Sequence, residues 1–347
     1  MRRQVVFRRH DSRRGQRAGY PVEPQQTRRN GTQNADMRRK GDFMANAILV
    51  TGATGFLGRS VVACLKNTGR NVRGAVRQLT APDAQTIAVG DLSETTDWST
   101  ALAGADVVVH CAARAHVLKE TATDPLAQFR AVNTAATLAL ARQAAASGMR
   151  RFIFISSIGV NGASTAGQAF RHDDPPQPHS PYALSKWEAE QGLTVIAAET
   201  GMETVIIRPP LITGPDPKGN LASLIAAMRR GLPLPFGLAT RNRRDLVSLD
   251  TLCSLIDMVI DHPAAAGQTF LASDGRAVST RTLLEQLAAD HGLSPVFLPV
   301  PPGLMTGLMA LAGKGGMASQ LFGDLEIDIT HTRQALGWSP GVDTAPT

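Results

Sequence analysis

The chain has 347 residues, enough for one large domain or two smaller ones with a buried core, and its apolar content of 43% is ordinary for a soluble protein. The net charge of +7 is unevenly spread: residues 1–43 hold 12 of the 36 Lys and Arg but only 4 of the 29 Asp and Glu, leaving the rest at a net −1. That balance excludes a basic nucleic-acid surface on the folded part, and with no run of 18 apolar residues the sequence excludes a membrane span.

Residues 1–43 carry five Arg-Arg pairs and almost no apolar periodicity, which predicts a basic disordered extension. Three origins stay open: a basic arm, a targeting peptide, or translated upstream sequence with the true start at Met44. The last is favoured, because a buried-type strand follows Met44 directly. No apolar stretch there resembles a secretory signal. Cys64, Cys111 and Cys253 are far apart and form no CxxC, so they read as buried small hydrophobes in a reducing compartment. No metal site is expected, and the expected location is the cytoplasm.

Ala47–Thr51 is a short apolar run ending in a glycine-rich turn, as a buried parallel strand would. A helix is predicted from Gly55 to Asn67, with Gly69 at its end. Strands follow at 72–76, 86–89 and 107–110. A long Ala-rich helix is predicted over 129–146, a strand over 152–155, a helix over 181–199 and a strand over 204–207. This alternation predicts a doubly wound α/β sheet of parallel strands, a Rossmann-type domain over 44–210. Prolines then break the chain, and 211–347 reads as a smaller substrate-binding lobe, with elements at about 246–262 returning to the first domain. The apolar stretch Leu304–Ala312 reads as a core helix.

Ligands in such sheets bind at the carboxyl ends of the strands, where every motif falls. Thr51-Gly52-Ala-Thr54-Gly55-Phe56-Leu57-Gly58 joins the first strand to the first helix. Gly52 permits a tight turn, Gly55 lets backbone approach a pyrophosphate, and Gly58 lets helix pack on strand. After the second strand no acid stands ready for the 2′-hydroxyl of NAD; Arg77 instead suits a 2′-phosphate and tilts the choice toward NADP. Asp91 is placed to accept from an adenine amino group. Cys111, Ala112 and Ala113 are small enough for a cofactor to lie against the backbone. Ser157 ends the fifth strand, and Tyr182 and Lys186 stand one helical turn apart. An ammonium beside a phenol favours the phenolate, which would let Tyr182 exchange a proton. Asn133 interrupts an apolar helix, either as a surface residue or as a backbone-bonded one that helps orient Lys186.

Together with Gly90-Asp91-Leu92, Phe129-Arg-Ala-Val-Asn133 and Phe154-Ile-Ser-Ser157, these motifs make the chain resemble the extended short-chain dehydrogenase/reductases, in their NAD-dependent epimerase/dehydratase branch acting on nucleotide sugars. The resemblance covers nearly everything from Ala47 to Trp338. It implies that Ser157 bonds the reacting oxygen, that Tyr182 gives or takes its proton, and that Lys186 holds the nicotinamide ribose. It adds Leu92 and Pro209 to the cofactor site, and Lys218, Asn220 and Arg244 as contacts of the nucleotide diphosphate. It also implies a homodimer. Dehydratases of the branch carry an Asp-Glu pair after the serine, where Ile158-Gly159-Val160 stands here, so sugar dehydration is not expected. Epimerases often carry an asparagine where Leu211 stands, which weakens a hexose epimerase reading. The run from His110 to Ile212 is most similar to ketoreductases of UDP-N-acetyl-quinovosamine synthesis, implying reduction of a 4-keto UDP-sugar for surface polysaccharide. The nearest alternative is a 4-epimerase of UDP-GlcNAc or UDP-glucose with tightly bound NAD; a non-catalytic cofactor-binding protein is the remote one.

Overall fold

The computed structural model describes residues 47–79, 85–115, 123–165, 167–217, 219–311 and 321–341; residues 1–43 and Lys218 lie outside them. Seven parallel strands form the main sheet in the order β3-β2-β1-β4-β5-β6-β9: β1 Ala47–Thr51, β2 Val72–Val76, β3 Thr86–Ala88, β4 Ala105–His110, β5 Arg151–Ile155, β6 Glu203–Arg208 and β9 Thr269–Leu271. The order reverses at β1, so the ends of β1 and β4 flank the crevice where such sheets take ligands. The fold is the Rossmann-type doubly wound sheet expected from the alternation of elements.

Side chains alternate across the sheet, as period-two geometry requires. Ile48, Val50, Val107, Val109, Ile153, Ile155, Val205 and Ile207 face one layer, formed by α1 (Phe56–Asn67) and α7 (Leu249–Asp261). Leu49, Val108, Phe152 and Phe154 face the other, formed by α4 (Ala136–Ala146) and α5 (Pro181–Thr200). Each fully buried aliphatic side chain contributes about 1.5–3 kcal/mol, so these two layers dominate the stability. Cys64 on α1 and Cys253 on α7, distant in sequence, pack into the same core between the helices.

The expected helix over 129–146 is three segments. Pro125–Phe129 (α3) starts on Asp124, whose side chain accepts from the Ala127 N–H at 3.0 Å. Arg130–Ala135 is then π-helical, and α4 resumes the regular helix. The wider turn surrounds Asn133, which is fully buried; such turns gather at functional sites. Helix α5 begins on Ser180, with Pro181 in its first position, and ends at Gly201 with φ +75°.

A second core joins α6 (Asn220–Arg229) to α8 (Thr280–Asp290) through Leu221, Ile225, Leu234, Phe236, Leu284 and Leu287. Strands β7 (Leu211–Thr213) and β8 (Leu246–Ser248) pair in parallel as a separate two-stranded sheet. The short α2 (Ser99–Leu102) precedes β4, and α10 (Thr330–Leu336) closes the described chain. One element departs from expectation. The stretch read as a core helix forms α9, Pro302–Leu311, but none of its residues is buried. Its apolar composition is real, yet its outer face is open among the described residues: Leu304, Leu308 and Leu311 are 56%, 55% and 89% exposed. Among the described residues, no helix is long and apolar enough to cross a membrane, and no cluster of His, Cys, Asp or Glu could hold a metal ion.

Candidate active site

The glycine turn sits where β1 and β4 end side by side. Gly52 has φ +66°, and a Cβ there would lie 2.9 Å from the Ala112 Cα, so the turn needs both left-handed backbone and the absence of a side chain. At Gly58 a Cβ would come within 2.1 Å of the Gly52 carbonyl oxygen, which leaves no room for any other residue. Gly55 donates to that same carbonyl at 2.8 Å and precedes α1, whose N-terminus has no side-chain cap. Uncapped helix N–H groups and the positive end of the helix dipole suit a phosphate. Thr54 and Gly55 are exposed beside it, while Leu57 and Phe56 turn into the core. Ala112 is held in place by its N–H donating to Thr51 Oγ1 at 3.2 Å. Cys111, Ala112 and Ala113 are half-buried, and burial pushes the Cys111 thiol up to about 12. This cradle fits a dinucleotide.

His110 lies beneath it. Its Nδ1 meets Thr51 Oγ1 at 2.7 Å and its Nε2 meets Thr137 Oγ1 at 3.0 Å. Burial, with Lys186 nearby, lowers its pKa to about 3, so it is a neutral bridge that pins β1 and β4 to α4.

Ser157 caps the turn Ile158–Val160 by accepting from the Gly159 N–H at 3.1 Å. That bond uses a lone pair of Oγ and leaves the hydroxyl proton for another acceptor. A Cβ on Gly159 would lie 3.3 Å from both Ser157 Oγ and Ala183 Cβ, so the start of α5 packs directly on the serine turn. Tyr182, next to Ala183, is half-buried with its ring edge-on to Phe129 at 6.0 Å, and desolvation pushes its hydroxyl up to about 12. Lys186 is buried. Its Nζ donates to the Ile155 carbonyl at 2.9 Å and sits 4.4 Å from the Phe154 ring centroid. Desolvation lowers its pKa to about 8, while Cys111 and Glu190 raise it. Helix α5 thus carries Tyr182 and Lys186 one turn apart while its Ala183 packs on the Ser157 turn, and desolvation, not the ammonium, sets the direction in which the phenol shifts.

Asn133 is a buried, backbone-bonded residue. Its Oδ1 accepts from the Arg114 N–H at 2.8 Å, and its Nδ2 donates to the Arg114 carbonyl and to Ser185 Oγ at 3.2 and 3.1 Å. It therefore ties the loop after β4 to the residue preceding Lys186. Pro209 is buried, and its carbonyl accepts from the Ile158 N–H at 3.0 Å. Leu92 packs, partly buried, on the core. Arg77 and Asp91, both exposed, pair with each other at 2.8 Å. Exposed pairs are weak, so either group is released to a ligand at small cost. Asn220 is the exposed first residue of α6. Half-buried Arg244 donates to the Gly323 carbonyl at 2.7 Å, and desolvation lowers its pKa.

A buried polar network behind the site was not anticipated. Glu190, one turn beyond Lys186, accepts from Ser156 Oγ and, as a fork, from Arg208 at 3.0 and 2.6 Å. Arg208 also donates to Asn161 Oδ1 at 3.0 Å. All four side chains are buried. They lock the ends of β5 and β6, the serine turn and α5 to one another. The only local signal was Glu190 four residues after Lys186 on the same helix face.

The sequence profile of the NAD-dependent epimerase/dehydratase family matches residues 48–272. A UDP-glucose 4-epimerase of Vibrio cholerae is 45% identical over 300 residues, covering 86% of this chain and 92% of that protein. A short-chain dehydrogenase/reductase superfamily protein from Agrobacterium tumefaciens, solved with bound NAD, is 26% identical with a TM-score of 0.65, over 86% of this chain and 93% of that one. MoeE5, solved with UDP-glucuronic acid and NAD, is 25% identical with a TM-score of 0.68, over 86% and 94%. The chain belongs to the NAD-dependent epimerase/dehydratase family and is an enzyme of the extended short-chain dehydrogenase/reductase type.

Proposed function

We propose that this enzyme interconverts the 4-hydroxyl and 4-keto groups of a UDP-sugar. The observation that carries the reading is the Ser157 hydroxyl, freed to donate by the Gly159 N–H, in the turn on which the Tyr182 end of α5 packs. NAD or NADP, when bound, supplies or takes the hydride. Ser157 donates to the sugar oxygen, and Tyr182 gives that oxygen its proton as a carbonyl is reduced, or takes it as an alcohol is oxidised. Donors already in place at the developing alkoxide stabilise its charge without reorganisation. Lys186, charged below about pH 8, supports the proton transfer and holds the nicotinamide ribose. Gly52, Gly55, Gly58 and the small residues 111–113 hold the pyrophosphate and backbone side of the cofactor. Asn220 and Arg244, with Lys218, are assigned to the nucleotide diphosphate, and Arg77 to a 2′-phosphate. The enzyme works in the cytoplasm.

Two directions share this step. Ketoreduction of UDP-2-acetamido-2,6-dideoxy-hexos-4-ulose is favoured by Leu211 in place of an asparagine and by Arg77. Epimerisation at carbon 4 is favoured by the 45% identical relative, named as a UDP-glucose 4-epimerase. A panel of UDP-sugars and UDP-4-keto sugars, followed by absorbance of the reduced nicotinamide, tests both. Consumption of one cofactor per sugar supports the reductase, and sugar turnover without net consumption supports the epimerase. Inactivity on every member of the panel rejects the shared proposal.

A further inference from the structure

Ten large hydrophobic side chains are exposed among the described residues, and seven of them fall in just two stretches, 232–238 and 296–311. These stretches are neighbours in space. The Leu234 N–H donates to the Val296 carbonyl at 2.8 Å, the Leu298 N–H to the Leu234 carbonyl at 2.8 Å, and the Gly237 N–H to the Leu298 carbonyl at 2.9 Å. Along this short ladder Phe297 turns inward beneath Arg281, while Val296 and Leu298 point out at 58% and 42% exposure. The chain then enters α9, whose Leu304, Leu308 and Leu311 recur at one-face helical spacing on an uncharged helix. Leu232 and Leu238, which bracket the Leu234–Gly237 side of the ladder in sequence, are 50% and 46% exposed.

The charges around it are mostly basic. Residues 217–244 contain six Lys or Arg and no Asp or Glu, and 291–323 contain no Asp or Glu either. Arg229 and Arg230, directly before Leu232, and Arg241, three residues after Leu238, are exposed and form no ion pair among the described residues. Of the two acids on neighbouring α8, Glu285 is held by Arg281 at 2.7 Å, and Asp290 is exposed at its last position. Exposed apolar side chains concentrated in two hydrogen-bonded stretches mark an interaction site. A second copy of the chain would bring like-charged rims together, which opposes association. A helix too short to span, with an apolar stripe and a predominantly basic surround, is suited to lie in the interface of a negatively charged bilayer.

We infer that the face formed by residues 232–238, 296–298 and α9 docks this enzyme on an anionic lipid bilayer surface. The apolar stripe enters the headgroup boundary, and Arg229, Arg230 and Arg241 sit over the lipid phosphates. This inference does not depend on the identity of the sugar.

The test uses the full chain, with a reporter that separates this face from the basic residues 1–43. In the Leu308→Trp variant, vesicles of phosphatidylglycerol and phosphatidylcholine carrying brominated acyl chains should quench the introduced indole, and pure phosphatidylcholine vesicles should not. Arg229→Gln with Arg230→Gln should lower the partition coefficient read from that quenching roughly 30-fold, since each basic residue near such a surface contributes about 1 kcal/mol. Vesicle binding with no quenching at position 308 would assign the attachment to another region and overturn the proposal. Absence of binding at low salt overturns it as well. So does a change in the 308 emission that tracks protein concentration without vesicles, which would identify a second copy as the occupant.

Discussion

Two regions of this molecule break the usual rule of polar outside and apolar inside, in opposite directions. At the carboxyl ends of β5 and β6, Ser156, Glu190, Arg208 and Asn161 are buried, together with Lys186 and His110. On the far lobe, Leu304, Leu308, Val296 and their neighbours are exposed. The buried groups are satisfied: Glu190 accepts three hydrogen bonds from side chains, and His110 is bonded at both ring nitrogens. The exposed groups have no such closure among the described residues. The comparison teaches that the first exception is an internally completed device for holding a site still, whereas the second is left open by the described residues.

The largest effect expected is at the proton-transfer position. Tyr182→Phe keeps the ring and its contact with Phe129 but removes the proton, so kcat should fall about 10²–10⁴-fold with cofactor affinity retained. Rapid-quench single turnovers and cofactor titration check both halves; undiminished turnover would remove Tyr182 from the chemistry. Next is the buried network. Glu190→Gln leaves the Arg208 guanidinium buried without its counter-charge and should destabilise the fold by about 3–5 kcal/mol in urea unfolding. Replacing both partners by apolar residues, Glu190→Leu with Arg208→Met, should restore most of that loss. If the double variant is no better than the single, the network holds the fold by something other than paired charge.

A smaller effect is expected with pH. Burial lowers Lys186 to about 8, so its charged form is present below that value and lost as pH rises through it. The kcat/KM profile should therefore fall on the alkaline side of about pH 8. Lys186→Arg, always charged, should flatten that limb whatever its absolute rate. The smallest change is at the exposed pair of Arg77 and Asp91. Arg77→Ala should leave unfolding unchanged, because exposed ion pairs contribute little. It should nevertheless reduce any preference for NADP over NAD, measured as a ratio of kcat/KM values; an unchanged ratio would take Arg77 out of cofactor choice.

What could be seen in the sequence was governed by local rules. Strands β1, β2 and β5, the glycine turn and the Tyr182–Lys186 spacing follow from periodicity and i,i+4 geometry, and the structure places them where those rules put them. The contacts of Glu190 with Arg208 and Ser156 join residues 18 and 34 positions apart, and no local pattern announces them. Asn133 was ambiguous because a regular helix gives an interior asparagine no role; the π-helical turn and the Arg114 backbone supply it. Helix α9 misled for a related reason. An uncharged apolar segment has the composition of a core element, and only the tertiary arrangement shows that its face is left open.

The central claim is hydride chemistry at carbon 4 with Tyr182 and Ser157 at the reacting oxygen. Its most direct test is to supply the enzyme with a UDP-4-keto sugar and a reduced nicotinamide carrying deuterium at its transferable position, then to locate the label in the sugar product by NMR. The account predicts deuterium at carbon 4, and its loss in Tyr182→Phe. Deuterium at another carbon, or a consumed sugar with the label still on the nicotinamide, would contradict it.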